Sequence, residues 1–139
     1  MKMKAFLVEE WMNAHEKNAT INMAETCVDS LTLKELITID GTNPDEFFRS
    51  LYPLKLTYGH IEGSPEFRQL VANLYETIEP HQVLVMNGAS GANFLVYYSL
   101  IEPGDHVIAV HPTYQQLYEV PRSFGATVDL LELRPEHHF

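Results

Sequence analysis

The part of the sequence best suited to chemistry is a run of small residues between a predicted strand and a predicted helix. The run is Asn87-Gly88-Ala89-Ser90-Gly91-Ala92. Free amides at a helix N-terminus, the positive end of the helix dipole and the Ser90 hydroxyl can all face one anion there. The spacing is neither that of a Walker loop nor that of a dinucleotide fingerprint. It predicts a phosphate site, and the alternative is a plain strand-to-helix turn whose small residues serve packing alone.

A second group of candidate residues follows the next predicted strand. His111-Pro112-Thr113-Tyr114 comes directly after the apolar run at residues 107–110. Because the carboxyl ends of parallel strands meet at one edge of a sheet, Tyr114 is expected beside the phosphate candidate. Its ring could stack on a flat cofactor, and the alternative is a core aromatic whose hydroxyl reaches the surface.

The elements that must position these residues alternate between short apolar runs and helical stretches from residue 81 onward. Strands are predicted at residues 83–86, 107–110 and 127–133, a buried helix at 94–101, and a second helix at 113–124 that contains Pro121 and ends before Gly125. Continuous apolar strands alternating with helices are typical of a parallel sheet that is covered on both faces. The order β-α-β-α-β therefore predicts an α/β domain.

The first 57 residues predict short helices joined by turns. Apolar residues and a histidine recur at helical spacing in the first of them: Leu7, Val8, Trp11, Met12 and His15. Thr32 with Glu35 resembles a capping box, and Asn43-Pro44 and Ser64-Pro65 each place a capping residue before a first-turn proline. Glu9 and Glu10 are adjacent carboxylates that we interpret as a solvated helix face rather than an acid/base pair.

Composition and charge exclude several classes of function. The 139 residues fit one domain, which is expected to bury about 68% of its unfolded surface. A net charge of −10 disfavours nucleic-acid binding. No apolar run reaches the length of a membrane span, and after the basic opening at Met1-Lys2 acidic residues arrive too early for an export signal. The single Cys27 is consistent with a cytoplasmic protein, and the seven histidines show no metal-ligand spacing.

Five short motifs occur in the order and spacing found in class I and II aminotransferases. They are Tyr58-Gly59, Gly63-Ser64-Pro65-Glu66-Phe67-Arg68, residues 87–92, Glu102-Pro103-Gly104-Asp105-His106-Val107, and His111-Pro112-Thr113-Tyr114. The sequence thus resembles the N-terminal portion of a fold-type I enzyme that uses pyridoxal 5′-phosphate (PLP). The resemblance implies a helical arm at residues 1–57 and, at residues 58–139, the incomplete start of a PLP-binding large domain with three layers, α/β/α.

The resemblance also implies roles for individual residues. Ser90, Gly91 and Ala92 would hold the cofactor phosphate, with Ala92 where a hydroxyl residue often sits. Tyr114 would stack on the pyridine ring, and Tyr58 would reach the cofactor phosphate of the other subunit, which requires a homodimer. Asn22-Met23-Ala24-Glu25 lies where the arm closes over substrate, but it departs from the usual glycine-rich pattern, so no substrate contact is assigned to it.

Three groups of the family are expected downstream of the matched region: the Schiff-base lysine, the aspartate that pairs with the pyridine nitrogen and the arginine that binds the substrate carboxylate. All five lysines of the chain lie at or before Lys55. We therefore expect no catalytic residue here, a piece of a longer enzyme that is inactive alone, and unpaired edges on the strand at residues 83–86.

The implied reaction of the full enzyme is amino transfer between an amino acid and a 2-oxo acid. Three alternatives stay open: a β-lyase or a decarboxylating or cyclising PLP enzyme of the same fold, a non-catalytic aminotransferase-like module, and a stand-alone phosphate-binding α/β domain. The substrate is not identified by these residues.

Overall fold

The computed structural model of the chain describes residues 3–24 and 26–139. The predictions that concern the opening Met1-Lys2 and the arm residue Glu25 lie outside these residues. The described elements comprise six α-helices, two strands and three short 3₁₀ turns.

Four capped or amphipathic helices occupy the N-terminal half. Their bounds are Leu7–His15 (α1), Leu33–Thr38 (α2), Pro44–Leu51 (α3) and Pro65–Ala72 (α4), with 3₁₀ turns at Glu16–Asn18 and Pro80–Gln82. The predicted capping box is present: the Thr32 hydroxyl accepts from the Glu35 amide at 3.2 Å, and the Glu35 carboxylate accepts from the Thr32 amide at 2.8 Å. The side chains of Asn43 and Ser64 cap α3 and α4 by accepting from amides in the first turns of these helices. These predictions are confirmed.

The segment at residues 83–86 was expected to be the first strand of the sheet, and that prediction is wrong. The segment is extended but pairs with no strand in the described structure. Its Val85 amide donates instead to the Glu62 carbonyl at 3.0 Å. The neighbouring Gly63 has φ +105°, and a Cβ on it would overlap the Val85 side chain. A strand needs a hydrogen-bonding neighbour, and the described structure has none beside residues 83–86. The sequence had predicted unpaired edges on this segment.

The C-terminal half forms the α/β unit that carries the candidate residues. It contains α5 (Gly88–Leu100), β1 (His106–His111), α6 (Gln116–Ser123) and β2 (Thr127–Glu132), followed by a 3₁₀ turn at Pro135–His137. The two strands are parallel, and α6 is the crossover between them. Both strands and the stop at Gly125 agree with the sequence prediction.

The best-packed part of this unit is α6. Val120 and Pro121 are fully buried there. This helix contacts both strands, whereas α5 packs against α6 and not against the sheet. Two histidine–carboxylate contacts further join β1 to β2: His106 Nε2 lies 2.7 Å from Asp129, and His111 Nδ1 lies 3.0 Å from Glu132.

Much of the chain's apolar surface is uncovered. The accessible surface is 12010 Å², whereas a compact monomer of 15.9 kDa would expose about 7,400 Å². The expectation that about 68% of the unfolded surface is buried is therefore wrong, since the value for this chain is about 48%. The apolar helix was also predicted to be buried, and that prediction is wrong. Tyr98 and Leu100 of α5 are 69% and 70% exposed. Among the described helices, none has the length and apolar character required to cross a membrane.

Candidate functional site

The predicted phosphate-binding residues lie in the first turns of α5. Ser90, Gly91 and Ala92 are helical, because α5 begins at Gly88 and not after a longer loop as the sequence suggested. Gly88 has φ +73°, a conformation that lets the chain turn sharply into the helix. The Asn87 side chain makes no capping hydrogen bond, and the first turn contains no acidic residue. The first amides of α5 are thus free to face an anion, which is the chemistry expected of a phosphate site.

A buried glutamine fixes this turn from behind. Gln116, 6% exposed at the start of α6, donates from Nε2 to the Ser90 carbonyl at 2.7 Å. Its Oε1 accepts from Asn93 Nδ2 at 3.2 Å. Gln116 is not predictable from the sequence pattern, since a single polar residue at a helix start carries no periodic signal. The only sequence clue is its position two residues after Tyr114.

Tyr114 lies in the loop between β1 and α6, at the carboxyl end of β1. Gln116, two residues after Tyr114, contacts Ser90, so this hydrogen bond links the Tyr114 loop to the phosphate candidate. Tyr114 is 42% exposed in this chain. It meets the edge of Phe6 with ring centroids 5.7 Å apart, and its hydroxyl donates to Glu9 at 3.2 Å.

The buried carboxylate next to this loop has cationic partners within the chain. Glu119 of α6 is 5% exposed, and its carboxylate lies 2.9 Å from Arg122 and 3.6 Å from Lys4. A buried carboxylate needs such partners because desolvation otherwise penalises its charge. Burial also raises the pKa of Tyr97, in the second half of α5.

The remaining candidate residues are not joined to this edge. The side chain of Tyr58 is fully exposed, 100% of its area, on the segment between α3 and α4. The arm residues 22–24 instead line a surface groove of about 640 Å³ together with Trp11 and His15 of α1. That groove includes none of the five candidate cofactor residues. Among the described residues no group of three or more acidic, histidine or cysteine side chains is arranged to hold a metal ion.

Comparison with known proteins shows what these elements resemble. Residues 53–139 match the model of the family described as aminotransferase class I and II. A crystal structure of a PLP-dependent aminotransferase from Streptococcus suis is 54% identical and covers 99% of this chain with a TM-score of 0.93. An aspartate/prephenate aminotransferase from Thermus thermophilus is 29% identical over 66% of this chain. A 1-aminocyclopropane-1-carboxylate synthase from Prunus mume is 36% identical over 40% of it.

The chain spans only part of these relatives. It covers 37% of the Streptococcus suis structure, 25% of the Thermus protein and 13% of the Prunus protein. The predicted α/β class and the match to the N-terminal portion of such proteins are confirmed.

Proposed function

This chain belongs to the class I and II aminotransferases, and on that basis we propose that it forms the PLP phosphate and ring contacts of an enzyme that transfers an amino group between an amino acid and a 2-oxo acid. The observation that carries the proposal is the uncapped first turn of α5, held by Gln116 beside Tyr114. Family membership supplies the cofactor, and the local geometry supplies the residues that would bind it.

The first turn of α5 fits the phosphate group of PLP in charge and in donors. Amides at its N-terminus and the Ser90 hydroxyl are donors, and no carboxylate occupies the turn. Gly91 has open space where a Cβ would lie, so the backbone can approach a ligand closely. Ala92 offers no hydroxyl, so this site has one hydrogen-bond donor fewer than relatives with serine or threonine there.

When bound, PLP supplies an electron sink for the bonds at the substrate Cα. The chain's own residues would bind and orient it. The helix N-terminus anchors the phosphate end, and Tyr114 covers one ring face and keeps water from it. Two fixed points on a rigid molecule restrict its rotation, and this is how positioning residues lower the barrier of a reaction.

The proposal extends to groups outside this chain. Tyr58, fully exposed, is proposed to reach the cofactor phosphate of a second subunit in a homodimer. The lysine, aspartate and arginine that act on cofactor and substrate in the family are proposed to lie beyond residue 139. The 139 residues alone are then expected to be inactive.

The test is an absorbance titration with PLP, before and after borohydride reduction. It uses this chain and the longest reading frame that contains it, which we call the long form. A protein-bound cofactor band that borohydride alters in the long form alone supports the proposal. If neither protein gives such a band, the proposed function is wrong, and binding without turnover would favour the non-catalytic module.

Ser90→Asp in the long form tests the phosphate site. An aspartate in the first turn of a helix is compatible with the helix dipole, so the variant should fold while its carboxylate repels phosphate. We expect PLP affinity to fall at least about tenfold, the effect of about 1.4 kcal/mol. Ser30→Asp is the matched control, because it adds the same charge on an exposed segment outside α5. Equal affinities of the two variants would refute the assignment of Ser90.

A cyclising reaction is the second candidate, favoured by the similarity to the 1-aminocyclopropane-1-carboxylate synthase. The two reactions differ in product. A transaminase converts an amino acid to a 2-oxo acid and requires an acceptor oxo acid, whereas a cyclising enzyme requires none. Product analysis of the long form with and without an added 2-oxo acid distinguishes them.

A further inference from the structure

The N-terminal segment at residues 4–9 contacts the loop that carries Tyr114, although about a hundred residues separate them in sequence. We call residues 4–9 the clasp. Gln115 holds it by both ends of its amide: Nε2 donates to the Ala5 carbonyl at 2.7 Å, and Oε1 accepts from the Leu7 amide at 3.2 Å. Lys4 adds an ion pair to the buried Glu119 at 3.6 Å.

One of these contacts supplies a hydrogen-bond partner that the N-terminus of α1 lacks within its own helix. Phe6, the residue before α1, makes no side-chain capping hydrogen bond. The Leu7 amide at the first position of α1 therefore lacks a partner within its own helix. Gln115 provides that partner from the other half of the chain, so the start of α1 and the Tyr114 loop hold each other in place.

The clasp also fixes the Tyr114 ring at two points. The edge of Phe6 packs against it with the ring planes inclined by 65°, and the Glu9 carboxylate accepts from its hydroxyl at 3.2 Å. A tyrosine side chain has two torsions to fix, and contacts at both the ring and the hydroxyl restrict both. Tyr114 keeps 42% of its area exposed beside these contacts, so a planar ligand can still reach it.

We propose that the clasp is a positioning element for the cofactor-stacking residue, with Glu9 and Phe6 as positioning residues that act through Tyr114. This inference rests on the proposed function, because it assigns the clasp a role toward the PLP ring. It changes the interpretation of Glu9, which the sequence analysis placed on a solvated helix face.

The first experiment tests the clasp without any cofactor. Gln115→Ala in the long form removes both hydrogen bonds to the clasp, so amide hydrogen exchange at Leu7 should rise. Glu10→Ala is the control, since Glu10 is exposed on the same helix and its side chain makes no hydrogen bond or ion pair in the described structure, while its backbone amide bond to the Phe6 carbonyl is kept. Equal exchange at Leu7 in wild type and Gln115→Ala would show that the clasp does not form, and the proposal would be overturned.

The second experiment measures PLP affinity in the Glu9 variants. Glu9→Ala removes the acceptor and should weaken binding about three- to tenfold, as expected for one solvent-exposed hydrogen bond. Glu9→Gln keeps an acceptor oxygen and should recover part of the loss, whereas Glu10→Ala should bind as the wild type does. In a Tyr114→Phe background the hydroxyl is gone, so Glu9→Ala should have no further effect.

The outcomes separate this inference from the proposed function. If wild-type long form binds PLP and Glu9→Ala binds equally well, the clasp has no positioning role and the proposed function stands. If the effect of Glu9→Ala persists in Tyr114→Phe, Glu9 acts by another route and the inference is wrong. If wild type does not bind PLP, both fail, and the exchange data then report only that the clasp forms.

Discussion

Gln116 is the residue whose replacement tests most directly how the candidate phosphate site is held. Gln116→Ala removes the Nε2 group that donates to the Ser90 carbonyl and the Oε1 atom that accepts from Asn93. Each hydrogen bond contributes about 1 kcal/mol net, and the groups left behind are partly buried and lose their partners. We therefore expect the free energy that holds the first turn of α5 against α6 to fall by about 2–3 kcal/mol.

The chain offers a matched control in a second glutamine–asparagine pair. Gln69 Nε2 donates to Asn73 Oδ1 at 2.8 Å on the exposed surface of the C-terminal end of α4. A pair of this kind, four residues apart on one helix, stabilises by about 0.2–0.5 kcal/mol. Gln69→Ala removes the same chemical group and the same kind of contact, so the two variants differ in burial and in which elements they join.

Native-state hydrogen exchange of the long form is the appropriate assay, because a single unfolding free energy is poorly defined for a large protein. Gln116→Ala should speed exchange in α5 and α6 at least about 30-fold, the effect of the lower limit of about 2 kcal/mol. Gln69→Ala should change exchange only within α4. If Gln116→Ala alters exchange in α5 no more than Gln69→Ala does, Gln116 does not fix the phosphate turn and the reasoning is refuted.

Three further changes test other parts of the structure. Gly63→Ala should destabilise the protein by about 1–3 kcal/mol through strain and overlap, while Gly59→Ala, which has open space and no positive φ, should cost less; equal melting temperatures would contradict this. Hydrogen bonds from Thr32 lower the pKa of Glu35, so the stability it gives α2 is present at neutral pH and is lost as pH falls through that lowered pKa; Thr32→Ala removes the hydroxyl donor but keeps the backbone donor, and it should reduce this acid dependence in an NMR titration. Burial raises the pKa of Tyr97, so its stabilising contribution is present below about pH 10 and is lost above the raised pKa; Tyr97→Phe should improve stability at alkaline pH, and an unchanged alkaline midpoint would count against it.

Helix starts were predictable from sequence because their causes are local. Each cap accepts from a backbone amide two or three residues onward, so all the atoms involved lie within one turn. The accepting atoms are the hydroxyl oxygens of Thr32 and Ser64 and the side-chain carbonyl oxygen of Asn43. The two parallel strands were also predictable, since continuous apolar runs bounded by turn residues occur at both. In each case the sequence window contains the interaction that decides the structure.

Elements that depend on distant partners were predicted less well. The run at residues 83–86 has strand composition, but a strand requires a neighbour, and the described structure provides none. The roles of Gln116 and Glu9 depend on residues 26 and 105 positions away. No local pattern encodes such contacts, so the residues that support the candidate site were missed although those proposed to bind the cofactor were named.

The helix that carries the phosphate candidates, α5, has an apolar surface that this chain does not cover. Residues of α5 are apolar on all sides, yet none is buried, and the chain exposes about 4,600 Å² more than a compact monomer of its mass. An excess of that size on one chain is larger than one partner's share of most obligate interfaces, which bury about 2,000–5,000 Å² over both partners. Polypeptide packed over α5 would exclude water from the first turn, and amide–phosphate interactions strengthen as the local dielectric falls. We infer that the geometry of the phosphate site is set within these 139 residues, whereas its strength depends on the covering polypeptide, so the isolated chain should bind PLP more weakly than the long form.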